Sequence, residues 1–327
     1  MRPDSPRSGA LIGSTLMASM RDRLRPTLGL FKQTAVDWDD DNAARLAAAL
    51  SYYAAISIAP LLLVVIAVAG FAFGEDAARG AIMEQLGGLI GTDSAATVQS
   101  MIEGADRPRV GVLATIVGVV VLLFGASGVF GELQAAMNVI WDVQPKPGRG
   151  VWNFIRQRFL SLTMVLGVAF LLMVSLVVST ALGALGGLLE GHVPGVPMLW
   201  QLVGHAVSFV IITGLFAMIF KVLPDVKIRY RDVWLGATFT SALFVLGKLL
   251  VGIYIARADV ASSYGAAGSV VVMLLWIYYS SQIFFFGAEF TQAYARLHGS
   301  RWEPTRNAML VPKRQEHRHT VGDAAAH

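Results

Sequence analysis

Apolar residues in this chain do not alternate with polar ones; they run in long unbroken blocks. A helix rising 1.5 Å per residue needs about 20 apolar residues to cross a hydrocarbon layer about 30 Å thick. Five blocks free of Asp, Glu, Lys and Arg reach that length, at 46–74, 110–131, 159–189, 193–220 and 260–288. A sixth, 233–256, is interrupted only by Lys248. The third and fourth blocks are separated by Glu190, Gly191 and the Pro194-Gly195-Val196-Pro197 turn, strong punctuation for a tight connection. The pattern predicts an all-α polytopic membrane bundle of six transmembrane helices.

The connections tell the two sides apart. Lys and Arg accumulate in loops that stay in the cytoplasm. Seven occur in the first 45 residues, four in the second-to-third loop (Lys146, Arg149, Arg156, Arg158), four in the fourth-to-fifth loop (Lys221, Lys227, Arg229, Arg231) and six after the last span. The alternate connections hold Arg79, Arg107, Arg109 and Arg257, four against twenty-one. This alternation predicts both termini inside and an even number of spans. The net charge of +4 and the basic loops are then explained by topology, with no nucleic-acid partner required.

Three regions follow: a basic cytoplasmic segment 1–42, a transmembrane domain 43–298 and a disordered cytoplasmic tail 299–327. The apolar stretch 10–20 lacks a small-residue cleavage pattern and runs into Arg21, Arg23 and Arg25, so it reads as an interfacial helix and not a signal peptide. Between the first two spans, residues 75–109 are too long for a turn. Ile82, Leu86, Leu89 and Ile90 recur at helical spacing there, predicting an amphipathic extracytoplasmic helical segment. After the second span, Leu133, Met137 and Ile140 keep helical spacing until Pro145 and Pro147, so this stretch either extends the helix or bends at Gly125, Gly128 and Gly131. Those glycines, with Gly183, Gly186 and Gly187, permit close helix approach in a medium where burial does not drive helices together. Pro60 frees a carbonyl inside the first span.

Charged groups inside a span cost about 2.5–3.5 kcal/mol at its centre, so the polar residues of the spans are the candidates for function. Lys248 lies about 22 Å past Val233 along its helix, in the outer third. It reads either as a side chain snorkelling to the interface or as a cation lining an outward cavity. His205, at comparable depth, reads as a packing residue or as a member of that cavity. Nearer the inner side, Ser51, Tyr52 and Tyr53 enter with the first span, Ser127, Glu132 and Asn138 leave with the second, and Glu289, Thr291 and Gln292 end the sixth. These can converge on one polar site, although interfacial tyrosines and helix-end carboxylates explain the same residues. No cysteine is present, which removes disulfides, thiolate metal sites and cysteine nucleophiles.

Four strings bring a family into view. LSYYAAISIAPLLLVV (50–65), GASGVFGELQAAMNVIW (125–141), KVLPDVKIRYRDVWLGA (221–237) and YGAAGSVVVMLLWIYYSSQIFFFGAEFTQAYA (264–295) resemble, in order, the YihY/virulence factor BrkB family, over roughly residues 34–297. The resemblance implies a six-helix bacterial inner-membrane protein. Members of that family have been called ribonuclease BN, tied to virulence, and proposed to move lipids.

A nuclease needs clustered His and carboxylate ligands. The six histidines here are scattered at positions 192, 205, 298, 317, 319 and 327, and no glycine-rich nucleotide loop or Ser-His-Asp arrangement occurs. Neither a metal nor a cofactor is expected. The expectation is a transporter or flippase-like protein for a lipid or other amphipathic molecule, with membrane lipids as its partners. Lys248 and His205 would serve the outer side, and Ser51, Tyr52, Tyr53, Glu132, Asn138 and Glu289 the inner gate. A non-transporting scaffold of an envelope complex, as a homo-oligomer or with another protein, and an ion or small-solute carrier are the alternatives.

Overall fold

The structure, a computed structural model, describes residues 28–105, 112–147, 159, 163–171, 173–175, 177–178, 196–258, 267–298 and 302–311. Most of the expected third span, Gly183, Gly186 and Gly187, residues 1–27 and the tail from 312 lie outside the described residues. The described elements are α1 (28–40), α2 (Ala43–Phe73), α3 (Glu75–Ile90), α4 (Thr92–Ala105), α5 (Val112–Ile140), β1 (Val143–Pro145), α6 (Thr163–Ser175), α7 (Val196–Val222), β2 (Val226–Lys227), α8 (Tyr230–Ala258), α9 (Gly268–Leu297), β3 (Glu303–Pro304) and β4 (Ala308–Leu310).

Helices dominate because lipid offers the backbone no hydrogen-bond partner. Among the described residues, four helices are long and apolar enough to cross a membrane: Ala43–Phe71, Leu202–Val222, Tyr230–Val251 and Gly268–Leu297. The fold is thus an all-α membrane bundle. α2 runs away from one end, α5 and α7 return to it, α8 leaves and α9 comes back, and the short strands collect at that end, called here the ribbon end. α5 is continuous through Gly125, Gly128 and Gly131, so of the two sequence alternatives it is extension, and not a bend, that is realised.

The long connection after α2 forms two helices, α3 and α4, at the opposite end. Gly74 (φ 86°) and Gly91 (φ 85°) turn the two corners in backbone conformations open essentially to glycine alone. The pair folds back on the bundle, with Val98 and Ile102 fully buried beside Ile66, Met273 and Trp276. Thr97 Oγ1 donates to Ser269 Oγ at 2.8 Å and so fastens α4 to the first turn of α9. Beyond residue 301, segment 302–311 departs from the expected disordered tail. β4 pairs antiparallel with β1 and β3 with β2, while Trp302 stands edge-on to Trp141 at 5.7 Å. Backbone pairing and a buried indole outweigh the polar composition of this stretch.

Close packing holds the bundle at its small residues. On α8, Thr240 Oγ1 donates to Gly236 O at 2.7 Å, and on α9 Thr291 Oγ1 donates to Gly287 O at 2.7 Å. The two helices run antiparallel, so each threonine sits on the other helix's glycine. A Cβ on Gly236 would stand 2.8 Å from Thr291 Cβ, and one on Gly287 would stand 2.8 Å from Thr240 Cβ. Across α2 and α5, Pro60 Cγ sits 3.0 Å from a Cβ built on Gly125 and Ser57 Oγ 3.1 Å from one built on Gly128. Pro60 is therefore received by a glycine instead of opening a gap.

Gly236→Ala and Gly287→Ala should each destabilise the protein by about 1–3 kcal/mol through overpacking. Gly214→Ala on α7, where a Cβ meets nothing within 4 Å, should be neutral or stabilising by up to about 1 kcal/mol. Thermal unfolding in detergent monitored by circular dichroism distinguishes the three.

Candidate functional site

At the ribbon end, buried Gln134, Asn138 and Gln292 gather around two aspartates. Asp142 follows the last residues of α5 in the left-handed region (φ 54°), which Asp adopts at modest cost. Its N–H donates to Val139 O at 3.0 Å to close the helix. That turn leads Asp142 towards α9, where Gln292 Nε2 donates to Oδ2 at 3.1 Å and Arg296 Nη2 lies 3.5 Å from the same oxygen. Arg296 Nη1 lies 3.5 Å from Oδ2 of Asp37 on α1. The carbonyl of Asp142 accepts from Val311 N at 2.8 Å.

Asp225, in the turn between α7 and α8, repeats the arrangement. It is buried, and its Oδ2 accepts from Asn138 Nδ2 at 3.1 Å and Gln134 Nε2 at 3.3 Å, both on α5. Asp225 N donates back to Asn138 Oδ1 at 2.8 Å, and its carbonyl accepts from Thr305 N at 2.8 Å. Each aspartate thus precedes a short strand, takes side-chain hydrogen bonds from residues four apart on a neighbouring helix, and offers its carbonyl to the C-terminal segment. Four-residue spacing places Gln134 with Asn138, and Gln292 with Arg296, on one helix face. Between α7 and α8, Lys221 Nζ donates to Ile228 O and lies 4.2 Å over the Tyr230 ring.

These contacts differ in strength. Asn138 and Asp225 are nine-tenths or more buried, where exchanging a hydrogen bond for nothing costs about 1–3 kcal/mol. Arg296 is 38% exposed, and its two pairs sit in the range where solvent leaves little net gain. Gln292 Oε1 and Trp141 Nε1, both buried, have no hydrogen-bond partner among the described residues. The Asp225 clasp is therefore the tighter of the two.

The residues singled out in the sequence divide. Asn138 belongs to the Asp225 clasp. Glu289 is fully buried (0%) on α9, one turn before Gln292, about 12 Å from the end of its helix at Leu297 and so deeper than a helix-end carboxylate. Ser51 is buried on α2 and donates to Ala48 O at 2.8 Å. Glu132 is half-buried. Tyr52 and Tyr53 are 62% and 44% exposed, edge-on to each other at 5.8 Å, and point out of the bundle. Lys248 and His205 are exposed on α8 and α7 near the opposite end, Lys248 among exposed Leu246, Leu249 and Leu250. The side chain of Ser127 lies outside the described residues. Asp142, Asp225, Asp37, Gln134 and Arg296 were missed. The available signal was the four-residue spacing of Gln134 with Asn138 and of Gln292 with Arg296, together with an Asp just past a helix end.

A second feature lies at the opposite end, where Val65, Ala69, Ala78, Ile82, Ala169 and Met173, with Gln85, line a shallow, mostly apolar recess. Among the described residues no group of three or more His, Asp or Glu side chains is arranged to hold a metal ion.

The comparisons with known proteins agree with a membrane bundle. The chain is 29% identical over 296 residues to a UPF0761 membrane protein of Alkalilimnicola ehrlichii, covering 88% of this chain and 62% of that one. It is 33% identical over 177 residues to a UPF0761 membrane protein of Pseudomonas aeruginosa, covering 53% and 41%. It is 23% identical over 265 residues to the ribonuclease-like protein YfkH of Bacillus subtilis, covering 80% and 92%. The chain thus spans under two thirds of the length of the first two relatives. No solved structure matches it. The sequence profile of the virulence factor BrkB matches residues 34–309, which takes in the described bundle from α2 to α9 and the side-chain partners of both aspartates. The chain is a multi-pass membrane protein and belongs to the BrkB virulence factor family.

Proposed function

We propose that this protein is a transporter or flippase-like protein of the bacterial inner membrane, crossing it six times with both termini inside, and that it moves a lipid or other amphipathic molecule. The observation that carries the reading is the pair of aspartate clasps. Burying charged and amide groups is a poor route to stability, and here the two aspartates lie in the turns that link helix ends, where a latch would act. The clasp side chains join the turn after α5 to α9 and the turn after α7 to α5, and they can separate without breaking a helix, as a gate requires.

In this reading the ribbon end is the cytoplasmic end, because the loops on that side carry the excess of Lys and Arg,. Asn138, Glu289 and Ser51, with Gln134, Asp142 and Asp225, form the inner gate. Glu132, Tyr52 and Tyr53 meet lipid beside it. Lys248, exposed among leucines, and His205 would attract a phosphate or other anionic headgroup at the outer end. Membrane lipids are the partners, and no cofactor, metal or nucleic acid takes part. The name ribonuclease-like carried by one relative finds no support in the scattered histidines of this sequence.

Reconstitution of the full chain in vesicles, with fluorescent-lipid translocation read by dithionite quenching, tests the reading. Wild type should move lipid, Lys248→Ala should slow it several-fold, and Glu289→Gln and Asp225→Asn should change the rate. An inactive wild type that co-purifies with one stoichiometric envelope protein would replace transport with a scaffold. Asn138→Ala should also lower stability by about 1–3 kcal/mol, measured as a shift of thermal unfolding in detergent, whereas Gln144→Ala on the exposed side of β1 should be neutral.

A further inference from the structure

Among the described residues, helix α1 has one face covered by α8 and α9 and a second apolar face left exposed. Leu30, Thr34 and Asp37, spaced at four and three residues, are buried. Leu30 packs with Phe290 and Ala293 of α9, and Leu235 and Phe239 of α8 border the same cluster. Phe31 lies 5.7 Å from Phe239 and 5.7 Å from Phe290. On the outward side Leu28 is 66% exposed, Phe31 44% and Val36 43%.

Contacts along α1 also fix its slope. Its first residues meet α9 at Phe290, seven residues before Leu297 and so about 10 Å inside the ribbon end. Its last turn meets α9 at Arg296, through Asp37. α1 therefore climbs towards the ribbon end in parallel with α9. Leu28 and Phe31 stand at the deep end, and exposed Asp39 and Asp40 stand at the outermost.

A length comparison locates this slope in the bilayer. α9 has 30 residues, about 45 Å of helix, against about 30 Å of hydrocarbon, so each end reaches into the headgroup layer. The exposed stripe of α8 runs without a break past this level, from Arg231 and Trp234 to Leu246, Leu249 and Leu250. Lys32 on α1, Lys227 of β2, Arg229 just before α8 and Arg231 in its first turn are exposed at the same end.

We infer that α1 is an inclined interfacial helix. Its outer face of Leu28, Phe31 and Val36 seats in the leaflet at the ribbon end, and its N-terminal half reaches the acyl boundary. The exposed basic groups of α1 and α8 select anionic headgroups there. Amphipathic helices bury an apolar face at the acyl boundary and turn cations towards anionic lipid; α1, held alongside α9, does so on a slope and not in the plane, and Tyr230 and Trp234 suit that depth. The inference needs only that the bundle spans the membrane, and it holds whether or not the protein transports.

The absence of native cysteine makes the test direct. Nitroxide labels placed at L28C, V36C and D40C in the full chain, reconstituted in vesicles of phosphatidylcholine with phosphatidylglycerol, report depth by their relative accessibility to oxygen and to a water-soluble nickel chelate. The oxygen preference should be several-fold higher at L28C than at D40C, with V36C between them. It should fall at L28C in pure phosphatidylcholine and in the K32Q/R229Q/R231Q variant. A water-exposed L28C label overturns the seating in the leaflet, and dipolar broadening at L28C assigns the face to a second copy of the chain. Equal depth in both lipid mixtures overturns the selection of anionic headgroups.

Discussion

The ribbon end depends on two carboxylates that receive hydrogen bonds across the bundle. Asp225 joins the turn after α7 to α5, and Asp142 joins the turn after α5 to α9. The backbone carbonyls of the same two residues accept from Thr305 and Val311 of the C-terminal segment. Remove the carboxylates and the helices keep their apolar contacts, but the connections between their ends lose the groups that fix them. This separates the two halves of the molecule physically. The opposite end is closed by burial of Val98, Ile102, Ile66 and Trp276, and the ribbon end combines an apolar core around Trp141, Phe220 and Phe285 with polar latches.

Lipid explains why the rest of the packing looks as it does. Helices in a bilayer gain little by hiding apolar surface, so they associate where backbones come close and van der Waals contact is dense. The reciprocal Thr240–Gly287 and Gly236–Thr291 contacts do this for α8 and α9, and Pro60 against Gly125 with Ser57 against Gly128 does it for α2 and α5. Between α8 and α9 the polar oxygens stay near their own helices: Thr240 and Thr291 satisfy their hydroxyls on their own backbones. Rigid helix pairs of this kind allow movement to concentrate at their ends.

Four of the spans, the glycine contacts at Gly125 and Gly128 and the helical connection between α2 and α5 were legible in the sequence, because period and length act locally. Asp142 and Asp225 were not. Each lies in a short turn where a carboxylate is unremarkable, and its side-chain partners are as much as 154 residues away in the chain. The order of segment 302–311 was hidden for the same reason, since its strands exist only against β1 and β2. Tyr52 and Tyr53 misled in the other direction: depth alone placed them at the inner site, while the helical rotation of α2 turns them outward.

If the aspartate clasps hold the ribbon end closed, weakening them must let its two strand pairs move apart while the helix core persists. Electron–electron resonance distances between nitroxides at Gln144 of β1 and Lys227 of β2, both exposed, measure this directly in the reconstituted full chain. The account predicts one narrow distance distribution in the otherwise native protein and a broader, longer one in Asp142→Asn/Asp225→Asn, with helical circular dichroism unchanged. The same narrow distribution in both proteins would contradict it.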